Sequence, residues 1–571
     1  MSATHVFGLV AVAGFLARIV QYAQRRPLFV DDIQLMLNIA TRGYGRLLRP
    51  LALEQSASPL FLWVQRFIVQ TLGVSDVAFT LISLATGLAV LPLTWSVARR
   101  IVDRETSMLA EAILAVAPPL IYYSTSAKQY GTDVFVAAAV CWLGLRVLEA
   151  PTDPRRRLLA VAGGVVALML SMPALFVLGG VWCAWALSEP IRASRQGRTL
   201  LVASGALWGV TFASLFRGMY AEVSKNAYMR RFWFGSYLSS QRTLLGGIRY
   251  VAKGLHAPLY DVGSRTPWLL VYALSFLTLA GIVALVREKR VAFAALLTVP
   301  LLLAVAASAL GQWILTPRFM LYSAPLVCVL VAHGDAAIAR GITASRRYRE
   351  ALLVAGGLAV IALPARYATW VMVHPTNTEA SPELISGFRA HAGAREPVYV
   401  YARALPLWTY YSTDWKRPDT VRVQRLLRSM SEIGPGSGNG QSRGRPVRHE
   451  GFERRYPFGS SVELAGIATG MEHTGAVQAH APDFGWAENE ATRIHDAASP
   501  TAWIAFAHYN KVPLRELQSA LERLGGRVTF SDVRPGAALF QYRFAAPDSA
   551  VARRPTDPSV AVTAGTVPAR R

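Results

Sequence analysis

Cysteine is nearly missing from this chain: three residues in 571, Cys141, Cys183 and Cys328, each inside an apolar run. That excludes a disulfide framework and any metal site built on clustered thiolates, and it leaves the redox compartment undecided by cysteine. Acidic residues are scarce as well, 35 against 59 Lys and Arg. An internal repeat of the kind that inverted-repeat transporters carry is also lacking. What the chain has instead is apolar sequence, 53% of all residues, too much for an ordinary soluble protein and enough for a multi-span membrane domain joined to a soluble one.

Eleven segments, near 5–22, 76–98, 107–124, 131–149, 158–171, 173–188, 199–216, 267–286, 291–310, 319–338 and 350–372, are apolar enough to enter a bilayer at about 20 residues per crossing. The first is followed by Gln24-Arg25-Arg26 with no small-residue cleavage site, so it reads as a retained span rather than a removed signal peptide. The pair 158–171 and 173–188 meets at Ser171-Met172-Pro173 and reads as two short helices or one re-entrant hairpin. The formal charge of +24 would suit nucleic acid, but the basic excess sits in every second short loop: Arg99, Arg100 and Arg104; Arg155 to Arg157; Arg192, Arg195 and Arg198; Arg287, Lys289 and Arg290; Arg340, Arg346, Arg347 and Arg349. That is the pattern of cytoplasmic loops. The charge is therefore read as topology, with no nucleic acid, and the loop 23–75 and everything beyond 373 are expected on the outer face.

Pro59 to Gly73 is apolar but short and reads as a juxtamembrane helix with Trp63 at the interface. Arg217–Thr266, with Trp233, several Tyr and many basic residues, reads as a segment lying on anionic lipid head groups. Beyond 373 the character changes. Val398–Arg403 and Thr501–Tyr509 read as strands, Pro513–Gly526 as a helix closed by glycine, and RVTF with AALFQYRF as a closing strand pair. Gly434–Arg445 is Gly/Ser-rich and reads as a loop, and the tail from about Pro547 reads as disordered. The expected fold class is thus a polytopic α-helical membrane protein of about 11 spans with an outward-facing C-terminal α/β domain: a membrane domain over 1–373, a soluble domain over 374–545 and a tail over 546–571.

The stretch Asp31 to Pro59, DDIQLMLNIATRGYGRLLRPLALEQSASP, is polar, does not span, and opens on adjacent carboxylates. Ile33, Met36, Leu37 and Ala40 recur at helical spacing with Gln34, Asn38 and Thr41 opposite, which predicts a short amphipathic helix lying along the bilayer. Asp31 and Asp32 fall at its N-terminus, where unpaired N–H groups and the dipole favour a carboxylate. A helix cap needs only one Asp. Three further polar clusters border the same face: Glu54-Gln55; Lys128-Gln129-Tyr130 with Asp133; and Arg318 with Tyr322. Singly, Lys128 snorkelling to head groups and Arg318 anchoring a span end would explain them, and Asp133 could pair with Lys128. Gathered on one side, they mark a cavity or pathway.

The opening DDIQLMLNIATRGYGRLLRPLALEQSASPLFL, followed by SAKQYGTDVF, resembles the multi-span GT-C glycosyltransferases, the superfamily of protein O-mannosyltransferases and the lipid A aminoarabinose transferase, and more narrowly their bacterial relatives of family 39 type. The likeness covers roughly residues 5–370. The family usually shows Asp-Glu where this chain has Asp31-Asp32. The resemblance implies a bacterial inner-membrane transferase that takes a sugar from a polyprenyl phosphate to a protein, lipid or glycan acceptor of the cell envelope. It also implies Asp31 as general base, Asp32 and Asp133 as further acids, Lys128 and Arg318 on the donor phosphate, and Gln55, Gln129, Tyr130 and Tyr322 around the cavity. An acceptor hydroxyl must lose a proton as it attacks, and the leaving phosphate gains charge that fixed cations stabilise. No cofactor is implied. A divalent cation on Asp31 and Asp32 is the weaker alternative, and His449, Glu450, His473 and His480 lack a ligand spacing. From another class, a lipid or polysaccharide transporter would use the same charges as a passage, although such charges normally sit at the bilayer midplane.

Overall fold

The computed structural model describes residues 2–225, 227–260, 267–373, 379–393, 396–433, 486–498, 500–508 and 511–545, together with short strand segments between 455 and 474. The Gly434–Arg445 loop, the 546–571 tail, His449, Glu450 and His480 lie outside the described residues.

All eleven apolar segments are helical. Among the described residues eight helices are long and apolar enough to cross a membrane: Ala3–Ala23, Asp76–Ile101, Tyr130–Glu149, Arg195–Tyr220, Trp268–Arg287, Val291–Ala309, Pro317–Ile342 and Arg346–Trp370. The other three segments are shorter. Residues 158–171 and 173–188 form two separate helices, Pro154–Leu170 and Ala174–Leu187. The segment 107–124 is not one span: it divides into Arg104–Val116 and Pro118–Tyr123. Pro118 and Pro119 explain the division, because proline disfavours the α conformation in the residue before it and supplies no N–H; Ala117 sits at ψ 113°.

The break leaves the last carbonyls of Arg104–Val116 without partners. Arg18, buried in the first span, answers them. Its guanidinium donates to the carbonyls of Ala115 at 2.6 Å and Leu114 at 3.3 Å, and to Gly14 in its own helix at 2.7 Å. Close backbone packing elsewhere depends on glycine: a Cβ on Gly334 would stand 1.9 Å from the Leu277 carbonyl, and one on Gly281 would stand 2.1 Å from that of Leu330. These two positions let Trp268–Arg287 and Ala324–Ile342 meet backbone to backbone.

The basic loops converge at one end of the bundle. Arg100 and Arg156 reach Glu149 at 2.8 and 3.3 Å, Arg340 reaches Glu288 at 3.3 Å and Asp103 at 3.8 Å, and Arg346 reaches Glu105 at 3.6 Å. Asp31, Gln55, Lys128 and Arg318 meet elsewhere, where the C-terminal domain sits. That domain carries a four-stranded sheet in the order Val398–Val400, Thr501–Ala507, Ala537–Arg543, Arg527–Arg534. The first pair is parallel, with Val398 opposite Trp503; the others are antiparallel, with Trp503 opposite Gln541 and a bulge between Val528 and Phe530. Every residue of Thr501–Ala507 is buried, as befits a central strand covered on both faces. The helix Lys511–Arg523 ends before Gly525, whose φ of +82° suits glycine.

The long loop departs from expectation. Rather than only lying at a lipid surface, it folds back: Tyr220 meets the Ser58 hydroxyl at 3.1 Å, Trp233 packs edge-on against Phe319 at 5.6 Å, and Leu244–Tyr260 buries its C-terminal end against the bundle.

Candidate active site

The helix that starts the site, Val30–Thr41, is not the one-faced surface helix its pattern predicts. Ten of its twelve residues are buried, including Leu35 and Ile39. Its polar side is covered by protein instead of water. Asn38 exchanges two hydrogen bonds with the backbone of Ala52, at 2.8 and 3.1 Å, and Gln424 of the C-terminal domain donates to the Thr41 carbonyl. Only Asp31 and Gln34 remain partly open, three residues apart and so on one face.

Neither aspartate is the helix cap, a position taken by Phe29. They stand in the first turn, and their partners differ. Asp32, 3% exposed, accepts from the Ser126 hydroxyl at 2.7 Å and from the Lys128 backbone N–H at 2.9 Å. Burial pushes its carboxyl above the ordinary carboxylate value, against the opposing pull of Ser126, Arg26 and Lys128. Asp31 Oδ2 accepts from Arg318 at 2.7 Å. Burial would raise its carboxyl too, but the Lys128 and Arg318 charges prevail and hold it below the ordinary value, so Asp31 is ionised at neutral pH. Adjacent residues thus carry opposite tendencies.

Beside them the side chains of Lys128, Gln55 and Gln34 form a hydrogen-bonded chain. Lys128 Nζ donates to Gln55 Oε1, and Gln55 Nε2 donates to Gln34 Oε1 at 2.8 Å. Burial pulls the Lys128 ammonium below its ordinary value while Asp31 and Asp32 pull it back. Gln55 is aimed by a strained turn: Leu53 and Glu54 both hold positive φ, 60° and 57°, at a cost of order 1–3 kcal/mol each. Arg318 lies over the Trp233 ring at 5.0 Å, which fixes the plane of its guanidinium. Gln129 Nε2 points at the Ser56 carbonyl at 3.4 Å. Tyr130 packs edge-on against Tyr123 and Phe319, at 5.2 and 5.8 Å.

Two expected members stand apart. Asp133 does not pair with Lys128, which turns to Gln55; it is buried beside Ser171, at the junction of the two short helices, and makes no ion pair among the described residues. Tyr322 is 1% exposed among Phe176 and Trp313, with its hydroxyl 3.4 Å from the Pro300 carbonyl, and it packs rather than lining an open cavity.

Arg318 opposite Asp31, with Lys128 nearby, sets an ionised carboxylate beside two cations, a pair of charges suited to an anion such as phosphate. Residues 56–216 match the family model for dolichyl-phosphate-mannose-protein mannosyltransferase. The matched part holds Lys128, Gln129, Tyr130 and Asp133 and ends before Arg318. No curated protein matches the chain in sequence. Among solved structures, the chain is similar to ArnT from Cupriavidus metallidurans bound to undecaprenyl phosphate, at 12% identity and a TM-score of 0.49, covering 94% of this chain and 97% of that one. The apo form of that protein gives 14%, 0.48, 95% and 98%. An Archaeoglobus fulgidus oligosaccharyltransferase tethered with an acceptor peptide gives 13% and 0.44, covering 71% of this chain; this chain spans 62% of its length.

Sequence reasoning missed several groups here. Arg26, noted only in the stretch Gln24-Arg25-Arg26 that follows the first span, is buried with its guanidinium 3.7 Å from the Tyr122 ring centroid, and neither Nε nor Nη1 has a hydrogen-bond partner among the described residues. Ser126 carried no signal beyond its place before Lys128. Trp233 was visible as an interfacial aromatic, but its stacking on Arg318 depends on the fold of the long loop.

Proposed function

We propose that the chain is an inverting glycosyltransferase that moves a sugar from a polyprenyl-phosphate donor to an acceptor hydroxyl at the outer face of a bacterial inner membrane. The observation that carries this reading is the Asp31–Arg318 ion pair, set on the one open face of an otherwise buried helix with the Lys128 ammonium nearby. The family match over 56–216 supports a lipid-phosphate donor.

In this reading the acceptor oxygen bonds to the anomeric carbon as its proton passes to Asp31. The bond from that carbon to the phosphate oxygen breaks, and the polyprenyl phosphate leaves with the electron pair. Arg318 and Lys128 stabilise the charge that accumulates on it. The resting ion pair has a role in this scheme. A donor phosphate competes with Asp31 for Arg318, and a carboxylate released from a guanidinium becomes a stronger base. Asp32 holds the 126–128 loop against the acid helix and is a positioning group. Gln55, Gln129 and Tyr130 shape the surroundings, while Asp133 and Tyr322 pack away from them. No metal enters the scheme: one oxygen of each carboxylate, Asp31 Oδ2 and Asp32 Oδ1, already accepts from guanidinium, hydroxyl and N–H donors. The C-terminal domain sits over the acid helix, on the side from which an envelope acceptor would approach.

The test is transfer of labelled sugar from a panel of polyprenyl-phosphate hexoses and pentoses in membranes carrying wild type, Asp31→Asn or Asp32→Asn at matched expression. Donor consumption that disappears with Asp31→Asn is the expected result. Consumption by no protein form, in membranes where a related transferase is active, would overturn the reading.

A further inference from the structure

The acid helix begins without a cap of its own. Phe29 occupies the cap position and offers no side-chain acceptor, so the N–H groups of the first turn need a partner from elsewhere. It comes from 349 residues further on: Glu379 Oε2 accepts the Val30 N–H at 2.9 Å. The other oxygen, Oε1, is bonded to His508 Nδ1. Glu379 is 2% exposed.

The holder is itself fixed. His508 follows the central strand Thr501–Ala507 in a left-handed conformation, φ +50°, uncommon outside glycine. Its backbone N–H donates to Gly536 at 2.9 Å and its ring packs edge-on against Phe29, the cap residue, at 5.2 Å. Next to Glu379, the Ala380 N–H donates to the Pro535 carbonyl at 2.9 Å, so the glutamate is pinned to the hairpin turn that holds His508. The two sides of the contact come from sequence-distant parts: the residue before Asp31 on one, the sheet of the C-terminal domain on the other.

Three carboxylates, Glu379, Asp31 and Asp32, gather at one helix N-terminus. The helix dipole favours them and their mutual repulsion opposes them. Bonding Glu379 to His508 offsets that repulsion without removing the acceptor. We propose that Glu379, held by His508, is a positioning residue for Asp31: the C-terminal domain supplies the missing cap of the acid helix and thereby sets where the base stands. This rests on the reading of Asp31 given under Proposed function. A base displaced by about 1 Å loses on the order of a hundred-fold in rate, so a cap one residue away acts on turnover more than on donor binding.

The experiment uses the full chain in lipid nanodiscs, comparing wild type, Glu379→Ala, Glu379→Gln and His508→Ala. Two quantities are read: amide hydrogen exchange of peptides covering 28–41, and kcat and KM with the panel donor that wild type consumes fastest. The expected result for Glu379→Ala is exchange faster by roughly five-fold, the scale of a lost cap, and a kcat lower by roughly ten- to hundred-fold with KM within about two-fold. Glu379→Gln, which keeps an oxygen for the Val30 N–H, restores most of both, and His508→Ala falls between. Unchanged exchange, a change in KM alone, or a Glu379→Gln as impaired as Glu379→Ala would overturn the proposal. If Glu379→Ala fails to insert, His508→Ala and Glu379→Gln are measured in the same two ways: an intermediate loss in His508→Ala with near-normal Glu379→Gln supports the cap, and unchanged exchange in His508→Ala removes it. If wild type consumes no donor, the glycosyltransferase reading falls separately and exchange alone decides the cap: faster exchange supports it, and unchanged exchange removes it.

Discussion

Asp31 and Asp32 share a turn yet differ in what their charge costs, and this decides how each responds to substitution. Asp31 is held below the ordinary carboxylate value despite burial, so its ion pair with Arg318 stabilises the fold at neutral pH and that contribution is lost as pH falls through the folded-state pKa. Asp32 is raised by burial, so its contribution has the opposite sign: present in acid, lost as pH rises. Asn at 32 can keep an acceptor for Ser126 and for the Lys128 N–H while removing the cost of a buried charge. Asp32→Asn is therefore expected to fold as well as wild type at neutral pH and to lose less than about ten-fold in turnover. Asp31→Asn is expected to lose about 10²–10⁴-fold, the usual contribution of a general base; matched-expression donor consumption separates them. A second outcome concerns pH. The acid limb of kcat/KM, which reports the free enzyme, should lie below the ordinary carboxylate range, and Arg318→Gln should move it upward while raising the donor KM. A limb that stays in place after Arg318→Gln would detach the base from this pair.

At the scale of elements, the decisive groups are those that mend a broken helix. The sequence announced the break through Pro118-Pro119, yet hydropathy merged its two sides into one segment because both are apolar. Arg18 was equally visible and carried no signal, since an arginine in a first span reads as an interruption until the carbonyls it serves are located. Its guanidinium donates to Leu114 and Ala115 at the negative end of Arg104–Val116. Arg18→Leu would keep much of the side-chain volume and leave those carbonyls unpaired in an apolar interior, at about 1–3 kcal/mol. The expected observation is a lower unfolding midpoint in detergent, with the full-length chain still inserted. The acid helix shows the same limit of pattern reading. Its apolar spacing located the helix, with the aspartates in its first turn, because period is local. Its burial on nearly every side was not legible, because the covering groups, Gln424 and the helices Leu405–Ser412 and Thr420–Ile433, lie hundreds of residues away.

Across the whole molecule, the alternating basic loops foretold which ends of the helices gather, and their ion pairs to Glu149, Glu288, Asp103 and Glu105 join those ends. What the chain order concealed is how the C-terminal domain is fastened. Its strands and the helix closed by Gly525 were readable from local pattern, whereas its docking rests on single polar groups that no periodicity marks. Asp76, at the start of a span, accepts from the Tyr410 and Tyr411 hydroxyls, both at 3.0 Å, and the Tyr411 hydroxyl also takes the Leu28 N–H at 3.0 Å. Burial and the Asp76 charge push both phenols well above their ordinary value, so they remain donors throughout the working pH range. Replacing both with Phe keeps the rings, and with them the edge-to-face pair at 4.9 Å, but leaves a carboxylate without its two donors. Hydrogen bonds to a charged group contribute about 1.5–3 kcal/mol each, enough to loosen the domain over the acid helix without unfolding the sheet. Limited proteolysis should then cut the Tyr410→Phe, Tyr411→Phe variant within the C-terminal domain at lower protease concentration than wild type, while the membrane helices stay protected. Donor turnover should fall with it, because the domain that loosens is the one that carries Glu379. Unchanged cleavage and turnover would mean that the apolar contacts of Leu405–Ser412 with Val30–Thr41 hold the domain by themselves.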